Sequence, residues 1–466
     1  AHSILPSSAG GLMDVQLGIG NAIVYSLYKP LADNDFETVR SVMALFKRLY
    51  TVIGIIVMIM GLITSFFLEK VVSAPDIAYV HLIYLLFVTD SSVSYFFSYK
   101  TALIEADQKQ FLVSKYRYTG TMIQNLVKMI YLYLSSDFIG FMMIQIVFNI
   151  VVNAALALKA DKMYPYLKNS KNVKKLEKKL QKQISRNIKA TFIQKIGEKI
   201  INGTDNILLS AFLNLSVVGI YSNYLLITGA AHKTIDTVFQ AVAASVGNLG
   251  ATQDNRKIEH VFNTINFVGI FFACFGSVYL FEMINIVIEI WIGKVYLLDT
   301  KPVFLIAVIF FITVMRKPLM IFHSGLGLYW HDRYKPFLEA VSNFFISAIL
   351  VKSAGISGIL MGTVISGVAA GILIEPAIVY HYGFSGTLSS YYFIYLKAVS
   401  CSLASALLAE FIKDIFNFAG LGLAVQLLAT GAVCTILLVF MSLLLFGRDR
   451  AFHEVMALIT KRKEEV

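Results

Sequence analysis

Long apolar runs joined by short polar loops leave this chain few ways to fold. We read thirteen such runs, at residues 10–28, 51–68, 78–98, 116–134, 138–158, 190–212, 217–245, 261–290, 302–323, 334–352, 356–380, 391–411 and 418–446. A helix needs roughly 20 residues to cross the hydrocarbon core of a bilayer. In lipid the backbone N–H and C=O groups must find partners within the segment, so each run is predicted as a helix. Only 15% of residues are charged, against about 25% in an average soluble chain. The expected fold class is therefore an all-α polytopic membrane protein.

The loops set an expected orientation. Lys29, Arg40, Lys47 and Arg48 follow the first run, whereas the next loop holds Lys70 alone. Lys100, Lys109, Lys115 and Arg117 precede a loop with no basic residue, and the alternation continues to the basic C-terminus. By the positive-inside rule every second loop and the C-terminus lie in the cytoplasm. The first run must then cross from outside to inside, with nothing before it to carry the N-terminus out. We expect a native first helix upstream, giving fourteen spans; the alternative is that 10–28 is re-entrant or peripheral.

The stretch 159–189 is the longest charged segment and is expected to be a basic cytoplasmic linker. It could bind anionic headgroups, or be a solvated positive-inside loop. It divides the chain into an N-terminal helical lobe at 1–158 and a C-terminal lobe at 190–380. Residues 381–466 would add two further spans and a basic tail. Two six-helix lobes plus a terminal pair is the expected architecture; duplicated bundles around a midplane site recur among transporters.

Ionisable residues inside apolar runs are functional candidates, because burying a charge must be compensated. Lys195, Glu198, Lys199, Asn202, Asp205 and Asn206 fall on one stripe of a helix of 3.6 residues per turn. The stripe suits the wall of a transport pathway; an interhelical contact or an amphipathic helix on the membrane surface are the alternatives. His232, Asp236 and Gln240 recur every four residues and form a second stripe. Lys128 lies in the middle of its run, and Asp90, Glu339 and Glu375 are further buried candidates. Arg316-Lys317-Pro318 is predicted to interrupt its span, since proline removes a donor and kinks helices.

Basic groups in a cavity suit an anionic substrate, and Arg can grip phosphate with two parallel hydrogen bonds. We expect Lys128, Lys195, Lys199, Arg316 and Lys317 to bind substrate. Glu198, Asp205, Asp236 and Glu339 would tune that site or bind a coupling ion, Na+ or H+. No G-x-x-x-x-G-K-[ST] loop is present, so ATP-driven transport by this chain alone is not expected. Cys274, Cys401 and Cys434 show no metal or disulfide spacing, and no H-E-x-x-H occurs. No catalytic residues, metal or cofactor are expected. Short outer loops argue against an extracellular glycan enzyme.

Several stretches carry a family likeness: QLGIGNAIVYSLYKPLADND at 16–35, TDNILLSAFLNLSVVGIYSNYLLI at 204–227 and IEIWIGKVYLL at 288–298. RKPLMIFHSGLGLYWHDRYKPFLEAVSNFFISAILVKSAGISGILMGTVIS at 316–366 extends it. In these the chain resembles the polysaccharide flippases of the multidrug/oligosaccharidyl-lipid/polysaccharide exporter superfamily. The resemblance implies fourteen helices in two six-helix lobes plus a C-terminal pair. It also implies alternating access that moves an undecaprenyl-pyrophosphate-linked oligosaccharide to the outer leaflet for capsule, O-antigen or a related polymer. Gln16 stands where such flippases often carry an acid, which argues against ion coupling there.

The expected partners are that lipid-linked substrate, membrane lipids and the polysaccharide polymerase machinery, with no nucleic acid. The expected location is the bacterial cytoplasmic membrane. A cation-coupled drug exporter of the same superfamily and a non-transporting scaffold of glycan assembly are the alternatives.

Overall fold

The computed structural model describes residue 20 and residues 23–66, 80–135, 137–168, 176–213, 215–252 and 255–461. Fourteen helices, α1 to α14, form among these residues. The first is α1 at 23–32. Then come α2 (Phe36–Phe66), α3 (Val80–Ala106), α4 (Gln110–Ser135), α5 (Phe138–Met163) and α6 (Lys178–Phe212). They are followed by α7 (Leu215–Thr252), α8 (Asn255–Ile292), α9 (Thr300–Gly325) and α10 (Lys335–Gly367). A π-helical segment at Val368–Ile374 leads into α11 (Glu375–Gly383), and α12 (Leu388–Ile415), α13 (Leu423–Phe446) and α14 (Arg450–Lys461) complete the chain.

Among the described residues, seven helical stretches are long and apolar enough to cross a bilayer by composition alone. Helices α3, α4, α6 and α7 are as long, but Asp90, Lys128, Lys195 and Asp236 dilute their apolar character. The chain is a multi-pass membrane protein.

One of the seven stretches, Lys335–Gly383, is two spans rather than one. Gly355 breaks it with φ 56° and ψ −134°, a conformation open to glycine because it has no Cβ. The helix then folds back along itself. Asn343 Nδ2 donates to Thr363 Oγ1 at 3.0 Å, and Ser347 Oγ donates to the Ile359 carbonyl at 3.2 Å. A Cβ at Gly362 would stand 2.1 Å from Ser347 Oγ, so glycine is what lets the two arms close.

The prediction that Pro318 interrupts its span is corrected. Helix α9 runs from Thr300 to Gly325 with Pro318 inside it. The pyrrolidine ring is accommodated by the neighbouring helix: Gly269 of α8 faces it, and a Cβ at 269 would lie 2.6 Å from Pro318 Cγ. Packed neighbours let membrane helices keep proline where a solvated helix would break. The linker expected over 159–189 is also helical from Lys178 onward, continuous with α6. Its Lys, Gln and Leu residues are good helix formers.

The chain comprises two compact units, Ala1–Lys195 and Ile196–Val466. In the first, Gly54 and Gly61 of α2 sit against Tyr95, Phe96 and Val88 of α3. Small residues at such crossings let helix backbones approach where lipid offers no hydrophobic drive to pack. In the second, a core of Phe310, Val314 and Met315 from α9 meets Cys274 and Val278 from α8, with Cys401 from α12 and Leu438 from α13. The last helix, α14, lays Phe452 against Phe267 of α8 at 5.6 Å between ring centroids.

Candidate functional site

Each unit buries its own polar cluster among apolar helices. In the first unit, Asp90 of α3 is buried and accepts from two amides of α5. Gln145 Nε2 donates to Asp90 Oδ2 at 2.7 Å, and Asn149 Nδ2 donates to Oδ1 at 2.7 Å. Lys128 Nζ of α4 donates to Gln145 Oε1 at 2.6 Å and lies 4.3 Å from the Phe141 ring centroid. The cation thus reaches the carboxylate through one amide, and Asn153 extends the row by donating to Asn149. Gln145, Asn149 and Asn153 recur every four residues of an apolar run, a helical spacing that our reading of the sequence overlooked.

The second unit holds a larger charge network, drawn from α9, α10, α11 and the connection between α9 and α10. Arg316 Nε donates to Glu375 Oε2 at 2.9 Å. Its Nη1 and Nη2 donate to Glu339 Oε1 and Oε2 at 2.9 and 3.3 Å. Lys335 donates to the other oxygen of Glu375 and lies 3.6 Å from Asp332, whose second oxygen is 3.1 Å from His323 Nε2. A buried carboxylate or guanidinium without a counter-charge is costly, and this chain of alternating signs removes that cost. Lys317 pairs separately with Asp236 of α7. His232, one turn before Asp236, lies against Phe310 with the rings tilted by 33° and 4.5 Å between their centroids.

The backbone is shaped around Arg316. Gly371 lies in the π-helical segment, where a Cβ would stand 2.4 Å from Arg316 Cδ and Nε. Single π turns recur at functional sites. Two residues of the same segment, Val368 and Ile372, face a different neighbour. They help wall an apolar cavity of about 360 Å³ lined also by Phe281 of α8, Phe304 and Phe311 of α9, and Leu403 of α12. A charged cluster and a hydrocarbon-lined cavity therefore share one turn of backbone.

Of the candidates read from sequence, Lys128, Asp236, Arg316, Lys317 and Glu339 each enter one of these ion-pair or amide networks. Lys128 belongs to the first unit and the other four to the second. The side chains of Lys195, Glu198, Lys199 and Asp205 lie outside the described residues, although helix α6 runs through them; Gln16 also lies outside. Sequence reasoning missed Lys335 and Asp332, which look like loop residues in the string GLYWHDRYK, and His323 at the end of the preceding apolar run. It also missed the pair of Glu282 on α8 and Lys413 on α12.

Solved structures with the same helical arrangement decide the fold. A Vibrio cholerae MATE transporter aligns with TM-score 0.65 and 10% identity, over 81% of this chain and 88% of its own. The fold is that of the MATE transporters. An outward-facing multidrug resistance MATE family transporter of the MOP superfamily aligns with TM-score 0.68 and 12% identity, over 82% and 87%. A Pyrococcus furiosus MOP superfamily transporter, described as having a binding pocket of reversed polarity, gives 0.67 and 12% over 81% and 86%. No family model matches the chain, and no curated protein does. The MATE fold here thus comes with low identity, and with a cationic residue paired at the heart of each unit's polar cluster.

Proposed function

We propose that this protein is a transporter that flips a lipid-linked oligosaccharide across the bacterial cytoplasmic membrane by alternating access. The undecaprenyl-pyrophosphate-linked repeat unit of a surface polysaccharide would be the substrate, moved from the cytoplasmic to the outer leaflet. The MATE-type fold supports a transporter. The juxtaposition that carries the lipid-linked reading is the π segment at Val368–Ile374, with Arg316 against Gly371 and the apolar cavity against Val368 and Ile372. An amphiphile with an anionic head and a hydrocarbon tail needs both environments side by side. The pyrophosphate would meet Arg316 and Lys317, and the cavity would take part of the isoprenoid chain.

The basic loops and tail support a cytoplasmic C-terminus. The terminal helices α12 and α13, packed on α8, support a flippase-like arrangement of two lobes with an added pair. A second reading, a cation-coupled exporter of drugs or other small molecules, is favoured by one observation. Arg316 and Lys317 are neutralised by the protein's own carboxylates, which would suit an uncharged or cationic cargo.

The deciding experiment is the leaflet distribution of undecaprenyl-linked repeat units in cells depleted of this protein. Accumulation of complete units on the cytoplasmic leaflet, with loss of surface polymer, is expected. Unpolymerised units on the outer leaflet would instead indicate a role in polymerisation or scaffolding. Unchanged pools with altered drug sensitivity would favour the exporter.

A further inference from the structure

The two faces of the Arg316 guanidinium are held in different ways. Its Nε edge meets Glu375, which also takes Lys335, so that carboxylate has two cations. Its Nη1 and Nη2 end meets both oxygens of Glu339, and among the described residues no other cation pairs with Glu339. Exposure follows the same division: the side chains of Glu375 and Lys335 are 3% and 6% exposed, those of Glu339 and Arg316 11% and 17%. Gly371 closes the backbone against Cδ and Nε. An incoming ligand could therefore displace Glu339 at far lower cost than Glu375.

We propose that Glu339 is a tethered carboxylate occupying the seat on Arg316 that a phosphate group of the substrate takes during transport. The inference rests on the reading that Arg316 receives an anionic head. A carboxylate gripped through two oxygens has the geometry that a guanidinium also offers phosphate. With Glu339 in place the Nη end of the guanidinium stays paired between substrates, and Arg316 does not depend on Glu375 alone, which it shares with Lys335. The same competition sets specificity. A pyrophosphate, with more than one charge, displaces a single carboxylate; a phosphodiester lipid headgroup, with one, does not. Glu339 would thereby keep abundant anionic phospholipids out of the seat.

A binding-competent state populated one part in ten weakens apparent affinity about tenfold, and removing the competitor restores it. The test uses the purified protein in nanodiscs of neutral lipid, titrated calorimetrically with inorganic pyrophosphate. Glu339→Gln is expected to tighten binding about tenfold, and Arg316→Lys in the same background to abolish the gain. Glu410→Gln removes the same charge at a separate place on α12 and is expected to change nothing. Equal gains from Glu339→Gln and Glu410→Gln would reduce the effect to net charge and overturn the proposal.

Glu339→Asp keeps the charge but shortens the reach, and is expected to give a smaller gain. It serves if the Gln variant fails a thermal-unfolding check, and no gain from Asp then overturns the idea. Repeating the titration with phosphatidylglycerol discs separates the sources. Pyrophosphate affinity of the wild type should be unchanged; a loss there, relieved by no Glu339 variant, would show that lipid headgroups take the seat and would sink the specificity argument. Failure of the leaflet assay with a persisting Glu339→Gln gain would overturn the flippase reading alone.

Discussion

Gly371 lies so close beneath Arg316 that any side chain at 371 would occupy the space of the guanidinium, 2.4 Å from Cδ and Nε. Overpacking of a well-filled interior costs typically about 1–3 kcal/mol. Here the displaced group is also a paired cation. Gly371→Ala is predicted to lower the thermal midpoint and to abolish transport, because Arg316 must leave Glu375, Glu339 or both. A variant with wild-type stability and transport would show that the π segment has slack that the geometry denies.

The amide bridge in the first unit carries a different prediction. Gln145 both accepts from Lys128 and donates to Asp90, so Gln145→Leu strands the cation and takes one of the two amide donors from the carboxylate. Leaving buried polar groups unsatisfied costs about 1–3 kcal/mol, more for charged ones. Lys128→Met alone should cost less than Gln145→Leu, since Asp90 then keeps both Gln145 and Asn149. A double-mutant cycle between Lys128→Met and Asp90→Asn should show a coupling of opposite sign to the single losses. Simple additivity would mean that the amide does not transmit the charge.

Glu282 and Lys413 tie α12 to α8, with the Glu282 side chain wholly inaccessible. Removing one partner of a buried pair costs on the order of 3–5 kcal/mol, whereas replacing both is often neutral. Lys413→Met should therefore be strongly destabilising in detergent, and Lys413→Met with Glu282→Gln should recover most of the loss. Unfolding followed by a thiol probe at the buried Cys434 of α13 would read the integrity of this corner. Equal midpoints for the single and double variants would refute the pairing.

Asp137 caps α5 outside the membrane spans, accepting from the Gly140 and Ile139 N–H groups. Those two donors hold its carboxyl below the usual carboxylate range. A depressed folded pKa stabilises above the unfolded value of about 4 and loses that contribution as pH falls through the folded value. Asp137→Asn still accepts from the helix N–H groups but carries no titrating charge. The wild type should exceed it in thermal midpoint at neutral pH, and the difference should shrink on acidification below about pH 4. A difference constant with pH would rule out the charged cap.

The helical spans were legible because hydropathy acts on each segment separately. The split at Gly355 lay between two apolar runs, and the structure places the backbone break there. The proline was misread for a complementary reason: a local donor loss predicts a break, but Gly269 on another helix makes room for the ring. Lys335 shows the same limit from the other side. In sequence it is one more basic residue of a polar loop; in the fold it is buried and neutralises Glu375, forty residues later.

By itself the sequence determined that the chain crosses a membrane many times, and that charges such as Lys128, Arg316, Lys317 and Glu339 sit among apolar residues. Segment length and transfer cost suffice for those conclusions. Only the tertiary structure decided which cation meets which carboxylate, that Glu375 has two partners and Glu339 one, and that a π turn sets charge beside a hydrocarbon-lined cavity. Those relations depend on the rotation and depth of packed helices, and periodicity within one helix carries no information about the face its neighbour presents.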